Sequence, residues 1–219
     1  MMYGHPPSTT LREKVLKLLY QEKERTDAAV VTIPKNWKVS LPSTPRIHPA
    51  ATDEMITAFT ERTGIAVPPD LCDWWKTCNG ARLADGLWGI DNGDPHRDVY
   101  VKYDTFNEWR DLKWIPIAGD GCGNHYVQAA SEVFVKHNPI LFVEPILDPK
   151  IPQYIVASGV WQFLFFILSY SAFSSAKIAS RRTSVEHSES FWWPSDRDKV
   201  LSVDPDVANF NQFPFPWDL

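Results

Sequence analysis

Apolar positions recur at helical spacing in three stretches of the N-terminal third. Leu11, Val15, Leu18 and Leu19 form one stripe. Thr10 followed by Glu13 reads as a capping box, and this helix is expected to fade in the charged run Gln21–Asp27. Residues 32–50 contain Pro34, Pro42, Pro45 and Pro49 and read as an extended tether. Thr52 is placed to cap a second helix with Asp53 and Glu54 in its first turn and Met55, Ile56 and Phe59 facing inward. Gly64 stops that helix and lets Ile65 fold back onto it. Pro68–Pro69 opens a third helix, with Leu71, Trp74, Trp75 and Cys78 spaced for burial, and Asn79–Gly80 closes it.

The pattern then changes. Leu83–Ile90 predicts a strand pair or strand-turn, Asp91–Pro95 a turn, Tyr100–Tyr103 a short strand and Thr105–Asp111 a helical turn. Strands are predicted at Trp114–Ala118, His125–Ala129, Ile140–Glu144 and Tyr154–Ala157, with a turn at Asp120–Asn124. Residues 151–176 carry no charge, but Pro152 and Ser158–Gly159 interrupt them and Gln162 breaks the dense apolar run Val160–Leu168. A buried strand, a break and a buried helix from about Gly159 to Ala176 account for this better than a membrane span. A polar stretch at 181–190 leads to a short last helix, Asp196–Leu201, which Ser195 is placed to cap. Helices at both ends with strands between them predict an α+β fold, with an antiparallel or mixed sheet and helices packed at its N- and C-terminal ends. The chain divides into a helix and Pro-containing extension at 1–50 and a main domain at 51–219.

Charge refines this division. Residues 1–50 hold eight Lys/Arg against four Asp/Glu, whereas residues 51–219 hold 14 against 23, so a basic leading segment precedes a body of net charge −9. An acidic body disfavours nucleic acid and favours a basic protein partner. Three cysteines in 219 residues make no disulfide framework, and the N-terminus lacks a basic-then-apolar leader. The expected location is cytoplasmic.

No local motif carries a reaction. Gly119, Gly121 and Gly123 alternate as in a phosphate loop, but a strand follows them where a helix N-terminus would be needed. Cys122 and His125 suggest a thiol and its base, yet Asp120 beside the thiol would raise its pKa. Asp91–His96 offers oxygens to a cation but breaks the calcium-loop pattern, and the histidines lack metal-ligand spacing. No catalytic residue, metal or cofactor is assigned. What remains is surface character: Asp85, Trp88, Asp91, Asp94, Asp98, Tyr100, Asp104, Glu108 and Trp109 set aromatics among acids, as a face for a basic partner would. The bland alternative puts those aromatics in the core.

The order of motifs resembles the SUKH superfamily, which groups yeast cell-wall synthesis regulators with bacterial toxin-immunity proteins. Met55–Leu71 is similar to its opening helix, link to proline and second helix. Asp73–Gly80 is similar to its closing helix and Asn-Gly, Trp114–Asn124 to its strand and glycine turn, and Pro139–Phe142 to the next strand. Tyr154–Ser158 and Val160–Leu168 resemble its last strand and late helix. The resemblance implies an α+β domain without catalysis, and Asp120, Cys122 and Asn124 as a possible pocket rim. It also implies binding to a cognate toxin, such as a nuclease, that the protein neutralises. The alternative is a regulatory scaffold related to the fungal members.

Overall fold

The computed structural model describes residues 9–31, 47–82, 86–131, 137–180, 197–210 and 214–218. The last helix therefore begins, for description, at Arg197, and the predicted Ser195 cap, the polar stretch at 181–190 and most of the predicted tether lie outside these residues.

The N-terminal third follows its pattern closely. Helix α1 (Thr9–Val31) buries Val15 and Leu19, helix α2 (Asp53–Thr63) buries Phe59, and helix α3 (Pro69–Trp75) buries Leu71, Trp74 and Trp75. The Thr52 hydroxyl accepts from the amide of Met55, and Gly64 closes α2 at φ 69°. Two expectations change. Helix α1 does not fade at Gln21 but runs on to Val31, with Glu22 and Arg25 paired one turn apart. Residues 47–51 join the body: the amides of His48 and Ala51 donate to Gly80 and Trp75.

Asn79 shows why the closing Asn-Gly matters. Its side chain donates to the carbonyl of Ile90 at 2.7 Å and accepts from the amide of Ile90 at 2.8 Å, imitating a strand partner. Gly89 lies so close that a Cβ there would meet the carbonyl oxygen of Asn79 at 2.1 Å. Of the predicted strand pair or strand-turn, the described residues show single bridges from Leu87 and Gly89 to Ala81, Ala118 and Asp98 and no regular strand. Residues 83–85 are outside the described set.

Tyr100–Tyr103 is a helix and not a strand. Helix α4 (Val99–Thr105) is capped by Asp98, whose carboxylate accepts from the amide of Tyr100 at 2.8 Å. Val99, Tyr100 and Tyr103 are buried on one side while Val101 stays exposed, a helical spacing that four residues of alternating type conceal. A short helix α5 (Glu108–Asp111) follows.

Strands β1 (Trp114–Gly119), β2 (His125–Ala129), β3 (Ile140–Val143) and β4 (Pro152–Ala157) form a meander in the order β1-β2-β3-β4, antiparallel throughout. Helix α6 (Val160–Ser180) returns across the sheet, and α7 (Arg197–Val203) follows. The two faces of β2 are covered differently. Tyr126 packs on Phe163 of α6 and Gln128 donates to Asp70 of α3, while His125 meets Phe106 and Trp109 beside α5. Covered on both sides, β1, β2 and β3 are buried at every position. Among the described residues, no helix is long and apolar enough to cross a membrane.

Two carboxylates, Asp70 and the buried Asp204, hold the β4–α6 junction. Asp70 accepts from the amide of Val160 at 2.8 Å, and Asp204 accepts from the amide and hydroxyl of Ser158 at 2.7 and 2.6 Å. Gly159 between them has no room for a side chain, since a Cβ would meet Asp70 Oδ2 at 2.8 Å.

Candidate functional site

Strand register brings several of the singled-out residues to one end of the sheet. Because His125 pairs with both Gly119 and Val143, the β1–β2 turn and the β3–β4 loop leave from the same end. Helix α5 joins them there: the Trp109 indole donates to the carbonyl of Pro149 at 2.7 Å.

The β1–β2 turn organises itself around Asp120. Its carboxylate accepts from the amides of Cys122 and Asn124 at 2.7 and 3.0 Å and from the Asn124 side chain at 2.8 Å. Gly121 and Gly123 take φ of 78° and 104°, which the turn requires. The amides that a phosphate would need are thus already bonded to a carboxylate. Cys122 is exposed at the tip, Asn124 is half-buried and Asp120 is buried.

Beneath the turn, His125 is enclosed by the rings of Trp88, Phe106 and Trp109 at centroid distances of 5.1, 5.2 and 5.4 Å. Its Nδ1 is buried without a hydrogen-bond partner. Burial, reinforced by the charge of Lys102, pushes its pKa down to about 4, so the imidazole is neutral near pH 7. The Lys102 ammonium lies 4.8 Å from the Trp88 ring centroid. This aromatic enclosure was not foreseen. Phe106 and Lys102 lie 19 and 23 positions from His125, and nothing local in the sequence couples them.

The acidic, aromatic face read from the sequence is divided by the fold. Trp88, Tyr100 and Trp109 are core residues. Asp94 is fully buried, accepting from Arg82 at 2.8 Å and Arg97 at 3.3 Å. Burial pushes its carboxyl up, but the Arg82 and His96 hydrogen bonds and the two arginine charges outweigh this and hold it below the usual range. Next to it the buried His48 imidazole, at 3.9 Å, is depressed chiefly by desolvation. Trp88, Tyr100, Asp94 and Trp109 are therefore interior groups and not parts of an exposed face. Asp85 lies outside the described residues. Asp91 and Asp104 are exposed, Asp98 and Glu108 are half-buried, and Asp104 pairs with Arg110.

Carboxylates are instead carried by α5 and by the β3–β4 loop, which the Trp109–Pro149 hydrogen bond joins. Glu108 and Asp111 of α5 and Glu144 and Asp148 of the β3–β4 loop make no ion pair with any described residue. Burial raises the pKa of the Tyr154 hydroxyl, and the nearby Glu144 and Asp120 raise it further. Among the described residues, no three His, Cys, Asp or Glu converge as metal ligands.

A profile of the SMI1 / KNR4 family (SUKH-1) matches residues 50–165, more than half of the 219-residue chain. The chain belongs to the SMI1 / KNR4 (SUKH-1) family. The matched span runs from the approach to α2 through the first turns of α6 and contains the whole sheet. No curated protein and no solved structure matches the chain.

Proposed function

We propose that this SUKH domain is a non-catalytic binding protein that neutralises a cognate toxin by covering a basic surface on it, such as the substrate channel of a nuclease. The observation that carries the reading is the set of carboxylates on α5 and the adjoining β3–β4 loop, Glu108, Asp111, Glu144 and Asp148, which have no cationic partner among the described residues. They stand in a body whose sequence carries 23 acids against 14 bases. Unpaired acids on adjoining elements attract a basic partner and accelerate its docking. Co-expression with each basic toxin domain found in the gene's neighbourhood tests the proposal. Cells survive if it is right, and continued killing despite soluble, folded protein overturns it.

A second reading, a regulatory scaffold, is favoured by a different surface. Lys14, Lys17 and Gln21 of α1 and Leu18, Phe165 and Ser169 line an open basic groove between α1 and α6. On this reading Lys14→Glu with Lys17→Glu abolishes partner capture by a chain that still melts at the wild-type temperature. Unchanged capture rejects it.

A further inference from the structure

Five large hydrophobic side chains are exposed among the described residues, and three of them fall within six consecutive positions of the β3–β4 loop. Ile146 is 91% exposed, Leu147 67% and Ile151 55%. Single exposed apolar residues are ordinary, but a cluster on one loop marks a contact surface.

The loop that carries them is held in one shape. The amides of Leu147 and Asp148 both donate to the carbonyl of Glu144, at 3.0 and 3.3 Å. The amide of Lys150 donates to Asp148 Oδ1 at 2.8 Å, and that of Ile151 to the carbonyl of Asp148 at 3.3 Å. Pro145 and Pro149 fix two further φ angles, and the Trp109 indole ties the carbonyl of Pro149 to α5. Apolar side chains presented on a loop already ordered lose little entropy on binding.

Resting on the toxin-binding reading above, we infer that Ile146, Leu147 and Ile151 are the anchor that enters an apolar cleft of the basic partner protein, with Glu108, Asp111, Glu144 and Asp148 as its electrostatic rim. Charge complementarity selects this occupant: α5 and the loop carry Glu108, Asp111, Glu144 and Asp148 against Lys150 and an Arg110 that already pairs with Asp104, an acidic excess. A second copy of the chain, docked about a two-fold axis through the loop, would bring Glu144 and Asp148 against their own equivalents. An anionic membrane would meet the same carboxylates. A basic protein gains from them.

The test uses the full chain, the toxin domain that it neutralises in co-expression, and the variant Ile146→Asp/Leu147→Asp. Both positions are solvent-facing, so the variant is expected to melt at the wild-type temperature. Its affinity for the toxin domain, measured by biolayer interferometry, is expected to fall at least about 30-fold, mainly through faster dissociation. Wild-type affinity in the folded variant overturns the anchor while leaving the function standing. Sedimentation showing a wild-type dimer that the variant breaks assigns the loop to self-association and overturns it too. So does variant-sensitive binding to vesicles of phosphatidylserine and phosphatidylcholine. If the wild-type chain protects against no toxin domain, the functional reading falls first and the anchor with it.

Discussion

His125 shows what one residue's surroundings do. Three rings exclude water from an imidazole whose pKa would otherwise be near 6.5, and the folded state holds it down to about 4. A base whose folded pKa is depressed contributes stability that is complete above its unfolded value and is lost as pH falls toward the folded one. Acidification from about pH 6.5 to about pH 4 therefore removes up to about 3 kcal/mol through this group, at about 1.36 kcal/mol per unit. In His125→Phe, which keeps a ring among rings, the acid-side decline in urea-unfolding free energy is expected to shrink by that amount. Parallel pH curves for variant and wild type would refute the assignment. Asp204 works in the opposite sense. Burial raises its carboxyl despite two hydrogen bonds from Ser158. A carboxylate with a raised folded pKa stabilises fully below its unfolded value and less as pH climbs through the folded one. Asn at this position keeps an acceptor for the Ser158 amide and carries no charge. Asp204→Asn is thus expected to gain stability relative to wild type between about pH 4 and about pH 7, with equal shifts at both pH values as the contrary result.

At the scale of elements, the interlocking of α1 with α6 decides how the chain divides. Val15 and Leu19 are buried, Arg12 bonds Asp73 at 3.2 Å and Thr77 at 2.9 Å, and its guanidinium lies 5.4 Å from the Trp161 ring centroid. Leu19→Ala is expected to cost about 2–4 kcal/mol in urea unfolding. Removal of residues 1–50 should leave the face of α6 under α1 open and yield an aggregating protein. A truncated chain that melts as the full chain does would show α1 to be dispensable. The stripe Leu11, Val15, Leu18, Leu19 was legible because a helix with one covered side keeps a 3.6-residue period. The four strands were legible too, as short β-rich runs between turns. Tyr100–Tyr103 was not, because four residues that alternate also fit one helical turn, and the deciding contact is the Asp98 cap. The candidate site was half legible. The glycine turn could be read because its φ values demand glycine, whereas Trp88, Tyr100 and Trp109 fitted a face and a core alike, and only long-range packing puts them, with Asp94, inside. Aromatic content says that rings are present, and only the fold says which side of the surface they occupy.

For the whole molecule, the proposed function asks how an acidic body with few exposed apolar groups among its described residues would hold a basic partner. Acids spread over a surface act mainly before contact, through a field that reaches about 10 Å at 0.1 M salt and about 3 Å at 1 M. Apolar anchors act after contact, by slowing dissociation. On the proposed reading the two come together: Glu108 and Asp111 of α5 and Glu144 and Asp148 of the β3–β4 loop, without an ion pair among the described residues, accompany the exposed Ile146, Leu147 and Ile151. The two contributions should therefore separate in kinetics. Raising salt from about 0.05 M to about 0.5 M is expected to slow association with the basic toxin domain at least about tenfold and to leave dissociation nearly unchanged. Glu108→Gln with Asp111→Asn should flatten that salt dependence without altering the dissociation rate, because the rim steers and the loop holds. If association proves insensitive to salt in the wild-type chain, the acidity of the body serves solubility alone, and the partner must be recognised by shape.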